Sequence, residues 1–408
     1  MSIQIIPGGI TAPAGFKAGG INCGLRKNKS RRDLALIFSD FDCTAAGIFT
    51  TNKVFAAPVG VSRAHVADGR ARAIICNSGN ANTCTEDGYI KANATCRKVA
   101  ETLGIAEDEV LVCSTGVIGV PLPIEPILSG IPELAASLDS TPEAGDNAAV
   151  AIMTTDTRKK EIAVSYEWDG RKITIGGICK GSGMIQPNMA TMLAFVTTDA
   201  AVSSDALKKA LKDCADLTFN MVSVDGDTST NDTLLILASG QAGNKTVEYG
   251  GEGYAQFREA LLAVCTHLAK AIAADGEGAS KLIECTVSGF SDLAGAKKLA
   301  KSVINSPLVK TAMYGADANW GRILCALGYA GVEFDTGKID VKFRSDAGEL
   351  LVCRDGMAYP FDEDLAKAVL SRNYIYIDID LKSGGESATA WGCDLTYEYV
   401  RINGDYRS

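Results

Sequence analysis

KGSGMIQPNMATMLAF, Lys180 to Phe195, lies almost at mid-chain and fits no single secondary-structure element. It opens as a glycine-rich loop behind one lysine and passes the Pro187-Asn188 turn signal. It then enters the apolar run Met192 to Val196 through a lone hydroxyl, Thr191. A β-branched residue at a strand start is ordinary on propensity alone. The approach to it is less so, because a Gly-rich segment and a Pro-Asn turn can hold the Ala190 carbonyl strained and within reach of the Thr191 hydroxyl. Attack there would shift the chain from amide to ester, and hydrolysis would leave Thr191 as a new N-terminus. Its α-amine, with a reference pKa of about 7.7 to 8.0, can then act as base for its own hydroxyl.

This chemistry needs no histidine, and the chain has only two, His65 and His267. A Ser-His-Asp triad or a His-rich metal centre would have to use one of them. His65 follows Val61-Ser-Arg-Ala near a polar turn and His267 sits within a helical segment, and both read as incidental. The glycine pattern Gly176 to Gly183 fails as a phosphate loop: there is no GxxxxGK[ST], and Gln186 stands where GxGxxG needs its third glycine. Asp225 to Asp232 opens like a calcium loop but has Thr230 at the sixth position and Ile236 at the twelfth. It reads instead as a polar turn into a strand, at the edge of a site.

The composition sets the frame. At 408 residues the chain can bury a full core. With 47% apolar and 22% charged residues it is ordinary for a globular protein, and no run approaches the roughly 18 apolar residues of a membrane span. The start, MSIQIIPGGITAPAGFKAGG, has neither a signal-peptide nor a transit-peptide pattern, so a cytoplasmic location is expected. The net charge of −9, with Lys27 to Arg32 as the longest basic run, argues against nucleic acid as a partner. Thirteen cysteines without a CxxC pair read as reduced thiols, most of them buried.

Short apolar β-rich runs alternate with amphipathic stretches along the whole length, which predicts an α/β or α+β body of layered sheets and helices. Strands are predicted at 34–38, 73–76, 110–113, 162–166, 173–178, 192–196, 234–238, 282–287, 339–343 and 374–379. Helices are predicted at 88–103, 204–215, 254–274, 293–304 and 363–370. Residues 136–146, ASLDSTPEAGD, read as a surface loop. Two further polar corners follow apolar runs. Cys113-Ser-Thr-Gly-Val-Ile-Gly119 could present the Thr115 hydroxyl and the Gly116 N–H to a developing oxyanion, and Thr154 to Thr157 could form a hydrogen-bonding shelf. Taken alone, the first reads better as a plain tight turn, and the second is either a turn or such a shelf.

Together these segments resemble the ornithine acetyltransferases, or glutamate N-acetyltransferases, of arginine biosynthesis. The central KGSGMIQPNMATM is similar to that family's self-processing segment. GFKAGGINCGL (15–25), CNSGNANTCT (76–85), CSTGVIG (113–119), IMTTDT (152–157), NMVSVDGDTSTND (220–232), DGEGASK (275–281), GADANWGRI (315–323) and the terminal INGDYRS agree in order and spacing. One departure is Gln186, where His is expected before Pro-Asn. The resemblance implies a self-processing fold of the N-terminal-nucleophile type, cut between Ala190 and Thr191 into segments 1–190 and 191–408. Thr191 would be the nucleophile, and Thr115 with Gly116 the oxyanion hole. Thr154, Lys180, Thr191, Glu277, Asn403 and Ser408 would form the substrate site, which requires the terminal tail to be docked there. The implied reaction moves an acetyl group from N2-acetylornithine to glutamate through acetyl-Thr191. It needs no cofactor or metal, leaves acetyl-CoA open as a co-substrate, and goes with an α2β2 assembly. Two other readings stand beside it: a self-cleaving aminopeptidase or amidase, which would hydrolyse the acyl-enzyme, and a ligand-binding protein with an intact chain.

Overall fold

The computed structural model describes residues 2–26, 28–186 and 192–405; Ala190, Thr191 and Ser408 lie outside them. Among the described residues the strands form three sheets. The first, of six strands, runs β1 (Gln4–Ile6), β7 (Lys160–Trp168), β8 (Arg171–Lys180), β9 (Leu193–Thr198), β11 (Thr233–Ala238), β4 (Thr44–Phe49). The second runs β2 (Phe16–Ile21), β3 (Leu34–Ser39), β5 (Ala73–Asn80), β6 (Val110–Val117). The third runs β10 (Val222–Ser223), β17 (Glu386–Cys393), β12 (Leu282–Phe290), β16 (Tyr374–Asp380), β13 (Asp340–Ser345), β14 (Gly348–Arg354), β15 (Met357–Ala358). The helices are α1 (Ala57–His65), α2 (Gly88–Leu103), α3 (Ile124–Ala136), α4 (Pro142–Ala151), α5 (Ser204–Leu217), α6 (Tyr254–Ala274), α7 (Leu293–Asn305), α8 (Pro307–Tyr314), α9 (Trp320–Gly328), α10 (Glu363–Leu370) and α11 (Tyr397–Asp405).

Two of the sheets stack face to face. Ile74, Cys76, Leu111 and Cys113 of the four-stranded sheet share one buried cluster with Leu193, Phe195, Leu235 and Leu237 of the six-stranded sheet. The far side of the four-stranded sheet, through Leu36, Ile75 and Val112, is covered by Val61 of α1, Val99 of α2 and Ile131 of α3. The far side of the six-stranded sheet, through Val164, Ile175, Val196 and Ile236, is covered by Leu207 and Leu211 of α5 and Leu261 and Leu268 of α6. That cluster continues into the third sheet, where Ile283, Phe343 and Ile377 pack with Leu299 and Val303 of α7. The result is the layered α/β body that the alternating pattern predicts. Strands β9 and β11 are buried along their whole length, which accounts for their unbroken apolar runs.

Every predicted strand and helix coincides with an observed element, and only the strands predicted at 192–196 and 339–343 begin one residue before the observed β9 and β13. The loop expected at 136–146 is a correction: α3 ends at Ala136 and α4 begins at Pro142, leaving only five residues between them. The Thr141 side chain accepts a hydrogen bond from the Ala144 N–H and Pro142 occupies the first helical turn, which together start a helix from polar residues. α4 lies so close to β2 that a Cβ on Gly20 would sit 2.1 Å from the Asn147 carbonyl oxygen.

Strands from both sides of the expected cut interleave in the six-stranded sheet. β8 and β9 pair antiparallel from Lys180 opposite Leu193 to Ile175 opposite Thr198. The segments 1–190 and 191–408 are therefore not spatially separate bodies.

Candidate active site

The end of β8, the end of β6, the corner after α4, the turn before β11, the segment after α6 and helix α11 meet around one cavity of about 320 Å³. That volume suits a small metabolite, since such sites usually span about 300 to 1,000 Å³. Thr115, Gly116, Thr154, Lys180, Glu277 and Asn403 all line it, as does Met192, the residue that follows Thr191 in the chain. The sequence-predicted site residues within the described set are thus brought together from positions up to 288 residues apart, Thr115 to Asn403.

Each is fixed by its element. Parallel strands β5 and β6 place Gly79 opposite Gly116, and a Cβ on Gly116 would lie 2.3 Å from the Gly79 carbonyl carbon. With φ at 136° as well, only glycine fits there. Asn231 ties the end of β6 to the turn before β11. Its amide donates to the Ala81 and Ser114 carbonyls at 2.7 and 2.8 Å, and its oxygen accepts from the Thr83 and Thr230 hydroxyls at 2.9 and 2.6 Å. The Lys180 ammonium donates to the Thr115 hydroxyl at 3.4 Å, and Lys180 is only 8% exposed.

On the opposite rim, the Glu277 N–H donates to the Ser182 carbonyl at 2.9 Å and the Glu277 carboxylate accepts from the Asn403 amide at 2.8 Å. Gly183 leaves room for this carboxylate, since a Cβ there would be 2.3 Å from its carbon. Helix α11 is therefore docked at this cavity through Asn403. Gln186, at the departure from the family pattern, is anchored: its N–H donates to the Asp227 carbonyl at 2.9 Å and its carbonyl accepts from the Thr228 hydroxyl at 3.0 Å.

Beneath the cavity lies an ionic group that single-sequence reading does not single out. The Lys160 ammonium sits between Asp156 at 2.6 Å and Asp275 at 2.5 Å, with all three side chains almost wholly buried. Asp156 also accepts from the Thr154 N–H at 2.9 Å and from the Gly181 N–H at 2.7 Å, so it braces both the Thr154 corner and the end of β8. Burial alone would raise the Asp156 carboxyl, but the charges of Lys180 and Lys160 outweigh it and hold the group well below the usual carboxylate range.

Asp232 has the opposite fate. Burial pushes it well above the usual range, with Lys180 and the backbone N–H groups of Met192 and Ser229 offsetting only part of that rise. The site thus holds two buried carboxyls that their surroundings shift in opposite directions. The sequence reading flagged the turn containing Asp232 but not this residue, because its environment is set by strands distant in the chain.

Neither histidine lines the cavity. His65 ends α1 with its Nδ1 2.7 Å from the Val110 carbonyl oxygen, and His267 is exposed on α6. Among the described residues no group of His, Cys, Asp and Glu has the makings of a metal centre, and no helix is long and apolar enough to cross a membrane. All thirteen cysteines are free.

Residues 17–408 match the ArgJ family. The chain is 51% identical over 407 residues to the arginine biosynthesis bifunctional protein ArgJ of Caldanaerobacter subterraneus subsp. tengcongensis, with 100% of both chains covered. It is also 51% identical over 408 residues to the ArgJ protein of Symbiobacterium thermophilum, again with 100% of both covered. The crystal structure of the arginine biosynthesis bifunctional protein argJ from Bacillus halodurans, 46% identical, superposes with a TM-score of 0.51 over 53% of this chain and 100% of that one. Identity at this level, sustained from end to end, assigns the chain to the ArgJ family.

Proposed function

We propose that this chain is an arginine-biosynthesis acetyltransferase that cuts itself between Ala190 and Thr191 and then carries acetyl groups on Thr191 from N2-acetylornithine to glutamate. The observation that carries the reading is the convergence on one cavity of a hydroxyl and glycine corner, a buried lysine and a carboxylate–amide rim, beside Met192. In the first half-reaction the Thr191 hydroxyl attacks the acetyl carbonyl while its proton passes to the Thr191 α-amine. The Thr115 hydroxyl and Gly116 N–H stabilise the oxyanion, and the C–N bond breaks to release ornithine with that proton. Glutamate's amine then attacks the ester, and the Thr191 oxygen regains its proton.

Lys180 offers charge to a substrate carboxylate and Glu277 to an ammonium, which suits small zwitterionic amino acids. Acetyl-CoA is a candidate alternative donor, and an α2β2 assembly of the two segments is the proposed state. Size agrees with the cut: residues 191–408 make up 218 of the 408 residues, and the fully matched chain of the Bacillus halodurans structure spans 53% of this one.

The test is intact mass spectrometry of purified wild type and Thr191→Ala, followed by acetyl transfer from N-acetylornithine to glutamate. Wild type should give fragments ending at Ala190 and starting at Thr191, the variant a single chain, and transfer should need no acetyl-CoA. An unbroken wild-type chain would overturn the proposal, as would release of free acetate in place of acetylglutamate.

A further inference from the structure

We propose that Asn231 is a positioning residue for acetyl transfer, setting the Thr115 and Gly116 corner against the strand that follows the nucleophile, with Asn77 as a second hold on that corner. This rests on the roles given above to Thr191, Thr115 and Gly116, and adds the part that fixes their spacing.

An oxyanion hole works only where its donors stand at the point at which charge develops, and a displacement of about 1 Å can cost about 100-fold in rate. The sheet alone does not fix this corner. β6 is the outer strand of its sheet, so the ladder grips it along one side only. That ladder is regular from Ala73 opposite Val110 to Gly79 opposite Gly116 and then breaks, with Asn80 facing both Thr115 and Val117. Such a bulge re-aims the side chains around it.

Ser114, the residue before Thr115, is held twice. Its carbonyl accepts from the Asn231 amide at 2.8 Å, and its hydroxyl donates to the Asn77 side-chain oxygen at 2.6 Å. Asn77 is fixed in turn by donating to the Asn80 carbonyl at 2.9 Å. The far side of the corner is tied to the same group: the Ala81 carbonyl accepts from Asn231 at 2.7 Å, and the Ala81 N–H donates to the Val117 carbonyl at 2.9 Å. Asn77, Ser114 and Asn231 are at most 6% exposed, so water does not replace a lost bond.

Asn231 lines the cavity, yet its side chain has nothing left to offer a ligand. Both amide hydrogens are used by Ala81 and Ser114, and the oxygen accepts from Thr83 and Thr230. It therefore acts through its neighbours. Two residues further on, the Thr233 N–H donates to the Met192 carbonyl at 3.0 Å, and Thr233 stands opposite Leu193 in the β9 and β11 ladder. The stretch Asn231 to Thr233 thus grips Ser114 with one end and Met192 with the other. The first precedes Thr115 in the chain and the second follows Thr191.

The test is steady-state acetyl transfer from N-acetylornithine to glutamate by wild type, Asn231→Asp, Ser114→Ala, Thr115→Ala and the double variant Asn231→Asp with Thr115→Ala. Rates are expressed per cleaved chain, counted by intact mass, and Tm is measured alongside. Asn231→Asp keeps the shape but turns two donors toward carbonyls into an acceptor, so kcat should fall about 30-fold or more while both KM values stay within about threefold. Ser114→Ala removes only the Asn77 hold and should lower kcat about threefold or more. The double variant should be about as slow as Thr115→Ala alone, because the two residues act as a unit. A purely structural Asn231 would lower Tm and the yield of cleaved chain but leave kcat per cleaved chain at the wild-type value, and that result would overturn the proposal. Effects confined to KM, or fully additive with Thr115→Ala, would do so too. Should Asn231→Asp give no folded, cleaved chain, Ser114→Ala decides on the same terms, a wild-type kcat there counting against the proposal. A wild type that transfers no acetyl group would instead sink the function on which this rests.

Discussion

Replacing Lys160 with methionine should expose how much of this site rests on one buried cation. Lys160→Met keeps most of the side chain's volume but leaves Asp275 without its ion-pair partner and Asp156 with only the charge of Lys180, in a place where the three groups are at most 4% exposed. Removing one partner of a buried ion pair costs about 3–5 kcal/mol, because the remaining charge stays desolvated. For 408 residues, at about 2.1 cal/mol/K each, the unfolding entropy near the midpoint is about 0.9 kcal/mol/K, so Tm should fall by about 3–6 °C.

The deficit should also depend on pH with a definite sign. In wild type the Asp156 pKa is depressed, so its contribution is complete above the ordinary carboxylate range and lost as pH falls. In the variant one of the two carboxyls should be raised instead, and that group loses stability as pH climbs through its folded value. The gap between the two proteins should therefore be widest near pH 8 and narrow toward pH 5. Scanning calorimetry at fixed protein concentration across that range measures it. A Tm within 1 °C of wild type at pH 8, or a gap that widens toward acid, would refute the argument.

Gly183→Ala should act on binding and spare the fold. Its Cβ would fall 2.3 Å from the Glu277 carboxylate carbon, forcing that side chain off Asn403, while the Gly183 backbone itself needs no left-handed conformation. Losing a hydrogen bond to a charged group is worth about 1.5–3 kcal/mol, so KM should rise about tenfold or more with Tm nearly unchanged; an unaltered KM would remove Glu277 from substrate binding. Thiol labelling offers a separate check on the fold. Cys84 and Cys325 are exposed, whereas burial raises Cys76 and Cys179 to about 12 and Cys113 and Cys265 well above the ordinary thiol value. A brief iodoacetamide pulse at pH 7.5 should therefore modify Cys84 and Cys325 first; rapid modification of Cys113 would contradict the packing.

Elements with strong periodicity were legible from the sequence because burial imposes it. Leu234 to Ala238 lies in a sheet covered on both faces, and Tyr254 to Ala274 turns Phe257, Leu261, Val264 and Leu268 toward the core. Elements built from small or polar residues were not. FKAGGI in β2 and ESATAWGC in β17 carry weak strand signals, and their conformation comes from the neighbours they pair with. Helix α4 was hidden in TPEAGD, although the Thr141-Pro142 start was present to be read.

The site divides in the same way. Residues in dense local motifs, such as Thr115, Gly116 and Lys180, could be named in advance. Lys160 and Asp275 could not, because an ion pair spanning 115 residues looks in sequence like two ordinary surface charges.

The pairing of β8 with β9 across the proposed cut bears on how the protein would fail. An uncut chain that unfolds keeps these strands tethered, so refolding is first order. Once the chain is cut, the two pieces are held in register only by non-covalent contacts, among them the ladder from Lys180–Leu193 to Ile175–Thr198, the pairing of β4 with β11 and the core around them. Unfolding then releases two separate molecules, each with bare apolar strand edges, and recovery becomes a second-order encounter competing with aggregation. The mature enzyme would consequently be protected less by its equilibrium stability than by the slowness of its opening, and its lifetime on heating should depend on how dilute it is.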